Sequence, residues 1–286
     1  MSFHIAMDSV GDLPATWAQQ YAIHILPVNI IFGARTYRDD TDMDAATLVR
    51  LVRETGHYPR TSQPSLGQYL QFYRGIARPG EAVLSIHVSR HLSGTYEGAV
   101  AAARELAAQG GPRVVPFDSQ GGSMSMGFLA RAAAEARAQG LDLTATLERL
   151  RALRERIAVV LTLGSLEFIR HSGRVGSLAA ALASLLRLYP VLTLDQGRLV
   201  VAAKVRSGRR ALEASVRLIA QRFGSQPLHL AVMHALAPDR AQRLLQQARA
   251  QLRLHEVVQG AISAALTAHL GPGTVGLVAY PARPDA

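Results

Sequence analysis

Four short stretches of this chain gather hydroxyl groups, glycines and histidines where an apolar run gives way to a helix-like one. They are Asp8-Ser9, Thr61-Ser62-Gln63-Pro64-Ser65, Ser89 to Thr95 ("SRHLSGT"), and Asp118-Ser119 through Ser125. Hydroxyls and unsatisfied backbone N–H groups at a helix start form a seat for phosphate or carboxylate. In "HLSGT", Ser93 can cap the helix and Gly94 lets a ligand approach the backbone. Taken singly, each stretch is an ordinary helix cap. Four of them on one edge of a sheet would make a site.

Other residue types were weighed for sharper chemistry. A nucleophilic Ser93 needs a base beside it and a strained elbow of the form G-x-S-x-G. Neither "GGSMSMG" nor "HLSGT" has that spacing, and His91, two residues before Ser93, need not face it. A serine-dependent hydrolase of acyl esters therefore stands as the alternative, and no catalytic residue is assigned. His87 and His91 would share a metal only on a helix, yet they fall on a strand-to-loop passage, so no metal site is expected. "GPGTVG" (271–276) matches G-x-G-x-x-G but follows a helix and enters a strand, which is the wrong context for a dinucleotide. His269, just before it, ends a helix. Arg170 and Arg174 flank a Ser-Gly turn that leads into the apolar "SLAAALASLL". A cationic loop beside an apolar segment suits an amphipathic anion; it equally suits a salt-bridged surface turn beside a core helix.

The elements that must hold these residues are read from periodicity. In the first half, strand-like "FHIAMDS", "AIHILPVNIIFG" (22–33), "EAVLSIHVS" and "RVVPFDS" alternate with helix-like segments, among them Asp44–Glu54, Ser93 to Gly110 and about Gly122 to Gln139. That alternation implies parallel βαβ units, whose ligands bind at the carboxyl edge of the sheet. "RTYRDDTDM" reads as a polar turn region. In the second half, an amphipathic helix ("LDLTATLERLRALRERI") precedes the strand "AVVLTLGS". "LAAALASLLRLYPVLTL" (178–194) reads as a buried helix and a strand, because Arg187 and Pro190 leave too short a run to span a membrane. "DQGRLVVAAKVR" reads as a hairpin turned by Asp195-Gln196-Gly197. A helix from Gly208 to Phe223, the strand "LHLAVMHA", a helix from Pro238 to Leu252 and a final strand "VGLVAY" complete an α+β half. Two domains are expected, 1–150 and 151–286.

The 286 residues are 49% hydrophobic, enough for a substantial core, and there is no cysteine, which excludes disulfide and zinc–thiolate chemistry. The N-terminal "MSFHIAMDSV" has no basic stretch followed by a long apolar one, so a cytoplasmic, soluble protein without stable membrane insertion is expected. The formal charge of +10 raises nucleic acid as a partner. Yet the basic residues are scattered, all but Lys204 are arginine, and aromatics do not interleave with the densest cluster, "KVRSGRRAL". No stacking platform for bases results, and nucleic acid is the less favoured reading.

Taken together the motifs resemble the DegV family of bacterial fatty-acid-binding proteins. They run the length of the chain in order: "DSVGDLP" (8–14), "TSQPS" (61–65), "HLSGTYEGA" (91–99), "DSQGGSMSMG" (118–127), "LEFIRHSGRVG" (166–176), "YPVLTLDQGRLVVAAKVRSGRRAL" (189–212) and "HLGPGTVGL" (269–277). The resemblance implies an α/β fold of two domains, an N-terminal parallel sheet with flanking helices and a C-terminal α+β domain, with an acyl chain buried between them. It implies that Thr61 and Ser93 hold a fatty-acid carboxylate, with Ser62, Gly94, Ser119, Arg170 and His269 around it. It implies a non-catalytic lipid-binding subunit with no cofactor, which presents its fatty acid to a separate dihydroxyacetone-kinase-like fatty acid kinase for phospholipid synthesis. Arg174, Lys204 and Arg206 are then the candidates for the kinase contact. The chain departs from the family pattern at Gly11, Ser172 and Ser177, and His91 is given no role.

Overall fold

The computed structural model describes residues 3–173 and 188–282. The chain divides into two compact units, Met1–Met43 with Thr61–Glu155, and Asp44–Arg60 with Arg156–Ala286. A single cut at 150 assigns 44–60 to the first domain; those residues group with the second unit.

In the first unit, β1 (Phe3–Asp8), β2 (Ile23–Leu26), β6 (Ala82–His87) and β7 (Arg113–Asp118) form a wholly parallel sheet in the order β2-β1-β6-β7. The near-continuous burial of the central strands β1 and β6 is that of strands covered on both faces. One face carries Ala6 and Val83 against α3 (Leu66–Ile76) and α4 (Thr95–Ala108), where Tyr69, Tyr73, Ala99, Ala102 and Leu106 complete the core. α5 (Met124–Ala138) packs on β1 and β6 and is buried nearly all round, while α6 (Leu143–Arg154) covers α5. α1 (Ala15–Gln20) lies against β2. A small sheet of β3 (Asn29–Phe32), β4 (Arg35–Arg38) and β5 (Arg60–Ser62) runs in the order β4-β3-β5.

The polar stretch "RTYR" is thus a strand and not a turn. Antiparallel pairing with β3, from Asn29↔Arg38 to Phe32↔Arg35, supplies what its own side chains lack. The Arg38 guanidinium and N–H both donate to Asp42 at 2.8 Å and hold that carboxyl down at about 2.

In the second unit, β8 (Ala158–Thr162), β9 (Tyr189–Asp195), β10 (Arg198–Val205), β11 (Leu228–His234), β12 (Leu254–Ala261) and β13 (Val275–Pro281) form a sheet ordered β10-β9-β8-β13-β11-β12, antiparallel except for β11 with β12. α8 (Gly208–Phe223) and α9 (Pro238–Gln251) bury Leu212, Val216, Ile219, Leu244 and Leu245 in the same core as Val160, Leu230 and Leu277 of the sheet. α2 (Ala45–Thr55) is capped by Asp44, whose carboxylate accepts the Thr47 N–H at 2.7 Å, and ends at Gly56 in the left-handed region. It buries Leu48, Val49 and Val52 and packs on α10 (Ala264–Leu270). The edge strand β12 was not anticipated from the sequence. The helix read between residues 178 and 187 lies outside the described residues.

The β9–β10 hairpin turns at Gln196 (φ 45°) and Gly197 (φ 79°), with Asp195 opposite Arg198. Two positive φ angles make a type I′ turn, for which Asn-Gly is the favoured pair. Gln196→Asn is therefore expected to stabilise the protein by about 0.5 kcal/mol, because asparagine tolerates the left-handed region better than glutamine. Urea unfolding checks this, and a lowered midpoint would refute it.

Candidate functional site

The four hydroxyl-bearing loops of the first unit do meet. The Ser89 N–H donates to the Gly121 carbonyl at 2.8 Å and the Ser119 N–H to the His87 carbonyl at 3.0 Å, joining the loops that follow β6 and β7. The Ser123 N–H donates to the Val10 carbonyl at 2.8 Å, and the Ser123 hydroxyl bonds to Asp12, tying in the loop after β1. Gln120 and Ser123 hold positive φ there, the kind of local strain that a packed surrounding must maintain. The Thr61–Ser65 loop joins through Gln63. Its carbonyl accepts from the Asn29 side chain at 3.2 Å, and its amide lies where a Gly94 side chain would be, 2.0 Å from an added Cβ. Gly94 is required for that close approach.

Ser93 sits at the root of α4, half-buried, with its N–H on the Ser89 carbonyl at 3.1 Å. It is not the N-cap. Gly94 occupies that position, and the Ser93 hydroxyl accepts the Thr95 N–H at a long 3.4 Å. The helix start consequently has no strong side-chain cap, and its first N–H groups have no intrahelical acceptor. Thr95 closes the "SRHLSGT" stretch, where the sequence assigned it no role of its own. Its hydroxyl is buried with no hydrogen-bond partner among the described residues, while its carbonyl accepts from the Tyr69 hydroxyl at 2.8 Å. Burial, with the Asp8 charge adding to it, pushes the Tyr69 phenol up, so it stays a donor. Thr61 and Ser62 are half-buried on β5, and the buried Ser119 accepts the Gly121 N–H at 3.1 Å within its own turn.

The other expected residues belong to the second unit. Arg170 is exposed on α7 (Glu167–His171), which Tyr58 braces by stacking on His171 at 3.9 Å and meeting Phe168 edge-on at 5.2 Å. His269 is half-buried in the last turn of α10, which packs on α7. The glycine-rich loop after it is fixed by Arg240, whose guanidinium donates to the Gly273 carbonyl at 2.6 Å, the Leu163 carbonyl at 3.2 Å and the Thr162 hydroxyl at 3.2 Å. Lys204 and Arg206 are exposed at the end of β10; Arg174 lies outside the described residues.

Among the described residues Ser93 makes no hydrogen bond to an imidazole. A serine–histidine–aspartate connectivity occurs instead at Ser85, His87 and Asp8, all sealed from solvent. Among the described residues no three metal-binding side chains converge, and no helix is long and apolar enough to cross a membrane.

A family model described as "Uncharacterised protein, DegV family" matches residues 2–282. The chain belongs to the DegV family. A DegV domain-containing protein of Streptomyces coelicolor is 33% identical over 284 residues, covering 97% of this chain and 99% of that one. The solved structure titled as fatty acid binding of a DegV family protein from Thermus thermophilus superposes with a TM-score of 0.91 at 31% identity, over 99% of this chain and 100% of that one. DegV from Bacillus subtilis, described as a fatty acid binding protein, gives 0.88 at 26% identity over the same shares. The DegV motifs read from the sequence fall on the loops just described. "DSVGDLP" closes β1, "TSQPS" leads into α3, "HLSGTYEGA" opens α4 and "DSQGGSMSMG" opens α5, while "HLGPGTVGL" spans the loop held by Arg240.

Both DegV units contain a histidine with a lowered pKa. Burial is the chief cause for His24 and for His234, with the His4 and Arg137 charges adding to it at His24. A folded-state pKa below the unfolded value means that the unfolded chain takes up the proton first. Stability is full above about pH 6.5 and is lost as the pH falls through it. The Tm is expected to drop more between pH 7.5 and 5.5 in the wild-type protein than in His24→Gln/His234→Gln; equal drops would refute this.

Proposed function

We propose that this protein binds a long-chain fatty acid without transforming it, seats the carboxylate on Thr61 and Ser93, and presents it to a separate fatty acid kinase for acyl phosphate formation. The observation that carries the reading is the convergence of four hydroxyl-bearing loops at the weakly capped start of α4, in a family whose solved members from Thermus thermophilus and Bacillus subtilis are described as fatty-acid-binding.

The physics supports it. Burying a carboxylate is costly unless donors meet it, and hydroxyls with helix-start N–H groups are such donors. Each methylene taken from water contributes about 0.8 kcal/mol, so an acyl chain in a buried apolar tunnel binds tightly with no covalent step. Ser62 and Gly94 stand in the same loops as Thr61 and Ser93, Ser119 stands in the neighbouring loop after β7, and Arg170 and His269 are proposed as further groups near the carboxylate. Arg174, Lys204 and Arg206 are proposed for the kinase, whose surface at that contact should be acidic. Native mass spectrometry of protein purified from a bacterial host tests the binding. Bound acyl chains, or their uptake on adding oleate, are expected; protein that stays empty in both conditions overturns the proposal.

A further inference from the structure

We infer that Asp8 and His87, which contact no ligand themselves, are the positioning residues of the loop that carries Ser93. β1 and β6 are parallel neighbours in the register Met7↔Ile86, so their next residues, Asp8 and His87, stand side by side at the carboxyl edge. Period-two alternation puts Ala6 and Asp8 on the same face as Val83, Ser85 and His87, under α3. There the side chains form one directed relay. The Tyr73 hydroxyl and Ser85 Oγ lie 2.8 Å apart, Ser85 Oγ and His87 Nε2 2.8 Å, and His87 Nδ1 and Asp8 Oδ2 3.2 Å. Burial pushes the Tyr73 phenol up, which keeps it a donor at the head of the relay. A single arrangement satisfies all of it: Tyr73 donates to Ser85, Ser85 donates to Nε2, and Nδ1–H donates to Asp8.

All four side chains are at most 1% exposed, so the relay cannot act on a substrate. Its outlet is the backbone. Asp8 Oδ2 also accepts the N–H of Val88, the first residue beyond β6, at 3.0 Å. Val88 is buried, and without Asp8 that N–H would be an orphaned donor. The next residue anchors the rest of the loop. The Ser89 carbonyl accepts the N–H groups of Leu92 and Ser93 at 2.9 and 3.1 Å, and Ser89 Oγ accepts that of His91 at 3.2 Å. The position of Ser93 is therefore set from the floor of the sheet by a carboxylate 80 residues distant in sequence from the amide it holds.

The inference rests on the proposed carboxylate seat for its functional meaning, and the test separates the two. Full-length Asp8→Ala and Asp8→Asn are compared with wild type by hydrogen exchange of the 88–95 peptide and by titration with oleate. Asp8→Ala is expected to speed exchange of that peptide and raise the Kd each by about tenfold, the loss of one hydrogen bond to a charged group. Asp8→Asn, which keeps an acceptor oxygen, recovers most of both. A lowered Tm with loop exchange and Kd unchanged would mean a merely structural role and overturns the inference. Wild-type protein that does not bind oleate refutes the proposed function, while faster 88–95 exchange in Asp8→Ala still supports the positioning role. If Asp8→Ala does not fold, Ser85→Ala and His87→Gln carry the same readings. Exchange and Kd rising together support the relay, and neither rising overturns it.

Discussion

Thr61→Ala/Ser93→Ala is expected to raise the Kd for a long-chain fatty acid by more than about a hundredfold, as two hydrogen bonds to a charged group contribute about 1.5–3 kcal/mol each. The Kd for the matching fatty alcohol, which brings the same hydrocarbon without the charge, should move by less than about threefold, because methylene burial is untouched. Folding is not expected to suffer. Ser93 is half-buried, and its hydroxyl makes one long internal bond, to the Thr95 N–H at 3.4 Å. The measurement is displacement of a fluorescent fatty acid by oleate and by oleyl alcohol. Equal losses for both competitors, or none for either, would remove Thr61 and Ser93 from the carboxylate. With a partner kinase in the assay, acyl phosphate formation should fall in step with oleate affinity.

The second large effect is on stability. Gly164→Ala is expected to cost about 3 kcal/mol or more, the upper range for overpacking a site that cannot relax. A Cβ there would lie 2.3 Å from the Pro272 carbonyl oxygen and 2.5 Å from the Gly273 Cα, both main-chain atoms. That backbone is pinned. The Gly273 N–H donates to the Ala235 carbonyl at 2.8 Å, the Ala235 N–H to the Thr274 carbonyl at 2.9 Å, and Arg240 holds the Gly273 carbonyl at 2.6 Å. Gly94 makes a useful contrast. Its hypothetical Cβ comes closer still, at 2.0 Å, but to the mobile end of the Gln63 side chain. Gly94→Ala should therefore lose little stability and instead displace Gln63 from between two of the site loops. Urea unfolding of the two variants decides the matter; a loss under about 1 kcal/mol for Gly164→Ala would show that the glycine-rich loop yields.

Local pattern alone determined much of this protein. Apolar runs and helical spacing marked the strands and helices of the parallel sheet, because a strand buried on both faces leaves an apolar run and a helix packed on it leaves a stripe. Asp195-Gln196-Gly197 announced its hairpin because few residues accept two positive φ angles. The ordered motifs pointed to the family before any geometry was known. Where local pattern was weak, reading failed. β4 is polar and is held by its partner strand, and β12 is an edge strand defined by its pairing with β11.

Tertiary structure decided the rest. It showed three of the hydroxyl loops, those after β1, β6 and β7, sharing hydrogen bonds at the carboxyl edge of the parallel sheet. It brought the Thr61–Ser65 loop of the small sheet to them through Gln63 beside Gly94, set the N-cap of α4 at Gly94 and not Ser93, and grouped residues 44–60 with the second unit. It also gave His87, for which the sequence offered only the absence of a metal site, a partner in Asp8 at a separation of 79 residues. Period and capping are properties of neighbouring residues, so a sequence displays them. Which side chains finally meet depends on strand order and register, which are set by the packing of the whole sheet.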